Sequence, residues 1–200
     1  MIRLFVICIV VFLMSCNQER RPLLGETDYQ KEQNAKFKDA TTSPLTDKDR
    51  KNFRGLDFFK FDSTYIVKAS LKRTPNAEWF SMKTTTERLS KERVFGILTF
   101  EISGERYNLN VYQGEENMQT KGLEDYLFLP FLDDTNGDQS YDGGRYIDLR
   151  ISESDTITID FNRAYNPLCV YNEKFSCPLV PRENYLPIQI KAGVKMYAKH

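Results

Sequence analysis

Residues 93–112 constrain the fold more than any other stretch of this chain. RVFGILTFEI and RYNLNVY flank a two-residue Ser103-Gly104 connection, and a short Gly-containing link between two β-prone runs is hairpin chemistry. The same period-2 pattern recurs on both sides of it. TYIVKASL places Tyr65, Val67, Ala69 and Leu71 on one face. TITIDF sets Ile157, Ile159 and Phe161 against Thr156, Thr158 and Asp160, and YLPIQIKAGVK carries Leu186, Ile188 and Ile190 in step. DYLFLPF is apolar enough for a central strand, and DFFKF, EWFSMKT and RYIDLRI complete the set. The chain therefore reads as mainly β, an antiparallel sandwich or small barrel of about eight or nine strands. The 14 Phe and 11 Tyr suit half-buried β surfaces. One helix is expected, over 27–38. Thr27-Asp28-Tyr29-Gln30 fits a capping box ahead of a polar surface helix whose apolar contacts are Tyr29 and Phe37. TTSPLTDKDRKNFRG after it reads as a loop.

The N-terminus sets the compartment. Arg3 provides a small basic region, Leu4 to Leu13 is unbroken apolar sequence, and Ser15 is a small residue before the character changes. A permanent membrane span needs about 20 apolar residues, so this is an export signal rather than an anchor helix. Leu13-Met14-Ser15-Cys16 resembles the bacterial lipobox, which implies lipid on Cys16 after removal of residues 1–15. The rival reading is an ordinary cleaved signal in which Cys16 is accidental. With several acyl chains at about 0.8 kcal/mol per buried methylene, the mature protein is tethered to the membrane on the extracytoplasmic side, the periplasmic face being the expected one. Residues 16–26 form a polar tether, and 27–200 a single β-rich domain with its β core at about 56–197. A chain of 200 residues, 40% of them apolar, is long enough for one such core.

Four cysteines then divide by place. Cys8 leaves with the signal and Cys16 carries lipid, so Cys169 and Cys177 remain as a pair in an oxidising compartment, where a disulfide follows. Closing that short loop removes on the order of 2.5 kcal/mol of unfolded-chain entropy. A reactive thiol or a metal site are the alternatives, but the sole histidine is His200, so a Cys/His zinc site lacks its ligands. No metal and no cofactor is expected. Lys plus Arg and Asp plus Glu both number 28, which leaves no global field for nucleic acid.

The stretch from Asp133 to Gly144 crowds four Asp, one Asn and three Gly together before the strand-like RYIDL. It reads as a solvated turn, a cation loop or the rim of a pocket. An EF-hand counted from Asp134 would need Gly and Glu where Gln139 and Arg145 stand. The candidate rim comprises Asp133, Asp134, Tyr141, Gly143, Gly144 and Tyr146, with the Gly pair allowing close backbone approach and the tyrosines forming walls. Arg145 falls on the same strand side as Ile147 and Leu149, so an inward guanidinium must find a partner. The expectation is that Arg145, Asp160, Asn162, Tyr165, Asn166, Glu183 and Asn184 converge near the Cys169–Cys177 loop. The plainer alternative is a buried network that ties three loops together.

FLDDTNGDQSYDGGRYIDL, DFNRAYNPLC and CPLVPRENYLPIQIKAGVK, in that order, together with SPL at Ser43 and FRGLDFF at Phe53, resemble a bacterial family known as domain of unknown function 1684. The likeness spans about residues 40 to 197 and implies no activity. Where the family typically has Pro-Pro-Cys and Ala-Gly-Glu-Lys, this chain has Pro167-Leu168-Cys169 and Ala192-Gly193-Val194-Lys195. Three classes of function remain. The leading one is a lipid-anchored envelope module that binds a small ligand or a partner protein. A carboxylate-based hydrolase using Asp134 with Glu183 is the enzymatic alternative, since one histidine leaves no Ser-His-Asp or Cys-His arrangement. No residue is assigned a catalytic role, and the third class is a purely structural envelope protein.

Overall fold

The computed structural model describes residues 25–197. The expected export signal with Cys8, the expected lipidation site Cys16, nearly all of the expected tether and His200 lie outside the described residues. Eight strands are present among the described residues: β1 (Ile66–Arg73), β2 (Phe80–Lys83), β3 (Leu89–Ile102), β4 (Glu105–Gly114), β5 (Tyr126–Asp133), β6 (Arg145–Arg150), β7 (Thr156–Asp160) and β8 (Tyr185–Leu186). They form one sheet in the order β6-β5-β4-β3-β1-β7, with β2 added to β3 and β8 to β5. Every pairing is antiparallel except that of the two-residue β8. The sheet curls into a half-barrel, so that β6, at one end of the order, meets the chain just beyond β7, at the other. There Tyr146 and Tyr165 exchange backbone hydrogen bonds of 2.9 and 3.0 Å.

The central hairpin is built on its turn. Ser103 and Gly104 both adopt left-handed φ, 54° and 83°, between Ile102 and its partner Glu105. Gly in the second position makes such a two-residue turn accessible and matches the twist of the flanking strands. From it the inward residues of β3 and β4, Leu98, Phe100, Ile102, Leu109 and Val111, enter the main core. Val67, Ala69 and Leu71 of β1, Ile157 and Ile159 of β7, and Leu127, Leu129 and Phe131 of β5 face them. Burying each of the larger of these side chains contributes roughly 1.5–3 kcal/mol.

β5 is buried on both faces. Its other set of side chains, Tyr126 and Phe128, joins Met82, Tyr112 and Tyr146 in a second apolar cluster on the outer side of the sheet. This outer cluster positions the candidate site.

Among the described residues three α-helices lie outside the sheet. α1 (Asp28–Lys38) starts where Thr27 Oγ1 accepts the Gln30 N–H at 3.3 Å, while Gln30 Oε1 accepts from Glu26 N at 2.7 Å. The reciprocal bond thus lands one residue before the cap. Its buried stripe, Gln30, Asn34 and Phe37, is mostly polar. Asn34 Oδ1 accepts from Leu56 N, and Phe37 packs with Phe53 and Tyr171.

Three readings of the sequence are corrected. The stretch after Pro44 is not all loop, because Thr46 caps a short helix, α2 (Asp47–Asn52), by accepting from Asp49 N at 3.1 Å. DFFKF is not a strand: Phe58 makes only an isolated bridge to Val194. YLPIQIKAGVK pairs only through Tyr185–Leu186, although Leu186 and Ile190 still reach the main core. Beyond Pro187 three of its carbonyls, those of Ile190, Ala192 and Val194, are engaged by one side chain. α3 (Glu115–Gln119), a single turn after β4, is not expected from the sequence.

Candidate functional site

Arg145 is that side chain. It is fully buried, and its guanidinium binds Asp133 Oδ2 at 2.8 Å, Ile190 O at 2.8 Å, Val194 O at 3.3 Å and Ala192 O. Phe59 and Phe131 lie over it with ring centroids 5.6 and 5.3 Å away. Asp133 is equally enclosed, its Oδ1 accepting from Thr135 N at 2.9 Å and Ile190 N at 3.1 Å. Burial pulls the Arg145 pKa down and the Asp133 carboxylate opposes it. The planar fork suits this work, because one side chain collects a carboxylate and three carbonyls from the last segment of the chain. The sequence offered Asp160, Asn162, Asn166, Glu183 and Asn184 as partners, and the structure supplies Asp133. The β5–β6 register, Phe131 opposite Arg145, brings Asp133 within reach.

The remaining members of the expected cluster do not converge. Asp160 Oδ1 accepts from Asn162 N, and Asn162 clamps Asp62 N and O at 3.0 and 2.9 Å. Asn184, fully buried, takes Asn110 N and O and Pro130 O. Asn166 Nδ2 donates to Lys195 O. Glu183 is exposed. These are separate ties between loops and strands.

The Asp-rich loop closes on itself as well. Asn136 Oδ1 accepts from Asp133 N, and its Nδ2 donates to Ser140 Oγ and Tyr141 O. Asp134 accepts from the Tyr185 hydroxyl. Gly144, at φ 88°, sits where a Cβ would lie 2.6 Å from Phe131 O and 2.7 Å from Val180. Gly143 is pressed against the Tyr141 ring. Of the expected rim and cluster, only Tyr146 and Tyr165 line the cavity described next.

That cavity has a volume of about 630 Å³ and lies on the outer face of the sheet, over β5 and β6. Its aromatic side is Tyr126, Phe128, Tyr146 and Tyr165. Phe128 and Tyr146 meet edge to face at 4.7 Å, and Tyr146 meets Tyr165 the same way at 5.8 Å. The hydroxyls of Tyr126 and Tyr165 both donate to Asp148 Oδ1, at 2.8 and 2.5 Å, and Tyr146 donates to Pro178 O. Burial raises the pKa of all three tyrosines, so they are neutral at any physiological pH.

The opposite side carries Glu92, at the outer end of β3 beside Gly114. Glu92 is 4% exposed. Its Oε1 accepts from Ser90 Oγ at 2.8 Å, but Oε2 is buried with no partner among the described residues. Burial raises its pKa above the usual carboxylate range, opposed by Ser90 and Arg88 and reinforced by Glu116. A buried acceptor left unsatisfied costs about 1–3 kcal/mol and calls for an explanation. A second depression of about 700 Å³ lies over β1 and β3, but none of the orphaned buried polar groups lines it.

Cys177 and Leu168 form part of the cavity wall. Cys169 and Cys177 are both thiols here, and Cys169 N donates to Cys177 Sγ at 3.1 Å. Burial pushes the Cys177 thiol up to about 12.

Sequence reasoning missed Glu92, Tyr126, Phe128 and Asp148. Glu92 carried no usable signal: the register shift between Val94 and Gly96 reverses the alternation, so Glu92 shares the outer face with Val94, whereas Leu98 and Phe100 face the main core. Among the described residues no group of three or more His, Cys, Asp or Glu is placed to hold a metal ion, and no helix is long and apolar enough to cross a membrane.

Comparison with known proteins gives a family and a solved relative, but no activity. The family described as protein of unknown function (DUF1684) matches residues 51–195. No curated protein matches. The solution NMR structure of an uncharacterized protein from Haloarcula marismortui is similar to this chain at 34% identity and a TM-score of 0.65, covering 86% of this chain and 92% of that one.

Proposed function

We infer that this chain, which belongs to the DUF1684 family of proteins of unknown function, is a lipid-anchored cell-envelope module that binds a small molecule in the cavity over β5 and β6. The observation that carries this reading is the unpartnered Glu92 Oε2 in the wall of a 630 Å³ cavity with an aromatic floor. Ligand sites are typically concavities of about 300–1,000 Å³ with aromatic walls and a few convergent polar groups. The curled sheet reads as a barrel left open on one side, so that β5 serves the core with one face and the cavity with the other.

Lipid on Cys16 supplies the anchor, and the 11 residues from Cys16 to Glu26 span at most about 40 Å when extended. The cavity therefore works close to the membrane surface. Export also oxidises Cys169 and Cys177, whose adjacency supports a disulfide that holds the Leu168–Pro178 wall in place.

Screening envelope metabolites by thermal shift on the purified protein tests the binding reading. A ligand at 100 times its Kd adds about 2.7 kcal/mol, a shift of several degrees. Tyr126→Phe and Tyr165→Phe together should reduce that shift without lowering the unliganded Tm much. A screen spanning cationic, neutral and anionic solutes that yields no shift contradicts the reading.

A second reading has one observation in its favour. Glu92 has the raised pKa of a general acid and shares the cavity with a second carboxylate, Asp148, as a hydrolase would require. Asp148 is committed to two tyrosine hydroxyls, which favours a fixed acceptor over a nucleophile. The pair expected from the sequence, Asp134 with Glu183, does not line this cavity.

A further inference from the structure

We propose that the ligand of this cavity is an organic cation carrying an ammonium group, held between the aromatic rings and the Glu92 carboxylate. This rests on the binding reading above and names its ligand class. The first ground is a count of donors. The hydroxyl protons of Tyr126 and Tyr165 are committed to Asp148, and that of Tyr146 to Pro178 O. Each hydroxyl therefore offers the cavity lone pairs only.

Arg88 gives its Nε proton and one Nη2 proton to Ser176, and Lys91 is paired with Glu115 at 2.7 Å. Glu92 Oε2 is an acceptor with nothing to accept. Lys36, Asn117 and Gln119 also line the cavity as donors, so what favours a cation is the buried Glu92 Oε2 together with three tyrosine hydroxyls whose protons point away from the cavity.

The second ground is the ring geometry. Phe128, Tyr146 and Tyr165 meet in succession at interplanar angles of 77° and 89°, so adjacent faces stand at right angles, as in the aromatic cages that take ammonium groups. With Lys91 and Glu115 cancelling, the lining retains Glu92, Glu116 and Asp148 against Lys36 and Arg88. The balance of charge is acidic.

Three probes of one shape separate charge from fit: 2-phenylethylamine, 2-phenylethanol and phenylacetate, titrated calorimetrically into the purified protein. The amine should bind at least about tenfold tighter than the alcohol, and the acid weakest, because a charge-assisted hydrogen bond is about twice as strong as a neutral one. Glu92→Gln, an isosteric change, should bring the amine to the level of the alcohol. Gly114→Ala is the second variant. Gly114 has ordinary extended backbone, and a Cβ there would lie 3.0 and 3.2 Å from the two Glu92 oxygens, covering the carboxylate without removing it.

Amine affinity should also fall as pH drops through the raised Glu92 pKa, and that slope should vanish in Glu92→Gln. The groups facing Glu92 are Arg88, Glu116 on α3, and the buried Tyr112 and Tyr126, whose pKa values burial raises; loss of the slope in Glu92→Gln assigns it to Glu92. Equal binding of alcohol and amine, tighter binding of the acid, amine binding unchanged by Glu92→Gln, or no binding of any probe overturns the ammonium proposal. The binding reading itself is decided separately, by the wider screen of neutral and anionic solutes.

Discussion

Arg145→Met removes a guanidinium that holds Asp133, three carbonyls and two aromatic faces, and it leaves the Asp133 carboxylate buried without its cation. Loss of one partner of a buried pair destabilises by about 3–5 kcal/mol, a shift that urea denaturation should read directly. Glu92→Gln should act in the opposite direction. Its pKa is raised in the folded state by burial, so the native protein takes up this proton before the unfolded chain does. Stability tied to this group therefore rises as pH falls from neutral through the folded pKa towards the unfolded value, and the ionised group is a burden at neutral pH. Urea midpoints at pH 7 should be equal or higher in Glu92→Gln, with that part of the pH slope gone; a loss of stability above about 1 kcal/mol would contradict a strained carboxylate. The inward Arg145 was legible because one strand alternation includes it. Its partner was not, since the 11 residues between Asp133 and Arg145 close through turns whose geometry no spacing rule fixes.

At the level of elements, period-2 runs located β1, β3, β4, β6 and β7 well, because each has one face in the main core and one outside it. Alternation misleads where a different interaction decides the backbone. The segment after Pro187 has a strand-like pattern, but alternate carbonyls, those of Ile190, Ala192 and Val194, turn toward Arg145. Thr46 starts a helix in what reads as a loop, since one cap and six polar residues leave no apolar stripe to detect. Two glycines separate turn strain from crowding. Gly104, at φ 83°, has open space where a Cβ would stand, with nothing within 4 Å, so Gly104→Ala should lose only the left-handed penalty of about 1–2 kcal/mol. Gly144 has a similar φ of 88°, but a Cβ there would also meet Phe131 O at 2.6 Å, so Gly144→Ala should lose clearly more in the same denaturation assay. Equal losses would mean that the β5–β6 approach is looser than described.

For the whole molecule, the β character was readable from sequence, while the cavity was not. Tyr146 and Tyr165 entered the candidate residues, yet the groups that complete the site come from β3, β5 and β6 at once. Only the curl of the sheet and the Leu168–Pro178 wall bring them together, and neither has a local signature. The division of labour follows from this geometry. Arg145 and Asp133 lock the segment from Ile190 to Val194 against the inner face, and Glu92 with the tyrosines lines the cavity on the outer face. Chemical-shift mapping by NMR, during titration of a compound that raises the Tm, tests that division most directly. The largest shifts should fall on Tyr126, Phe128, Tyr146, Tyr165 and Glu92, with Arg145 and Asp133 unmoved; shifts centred on Arg145 and the Asp133–Gly144 loop, with the cavity silent, would contradict it.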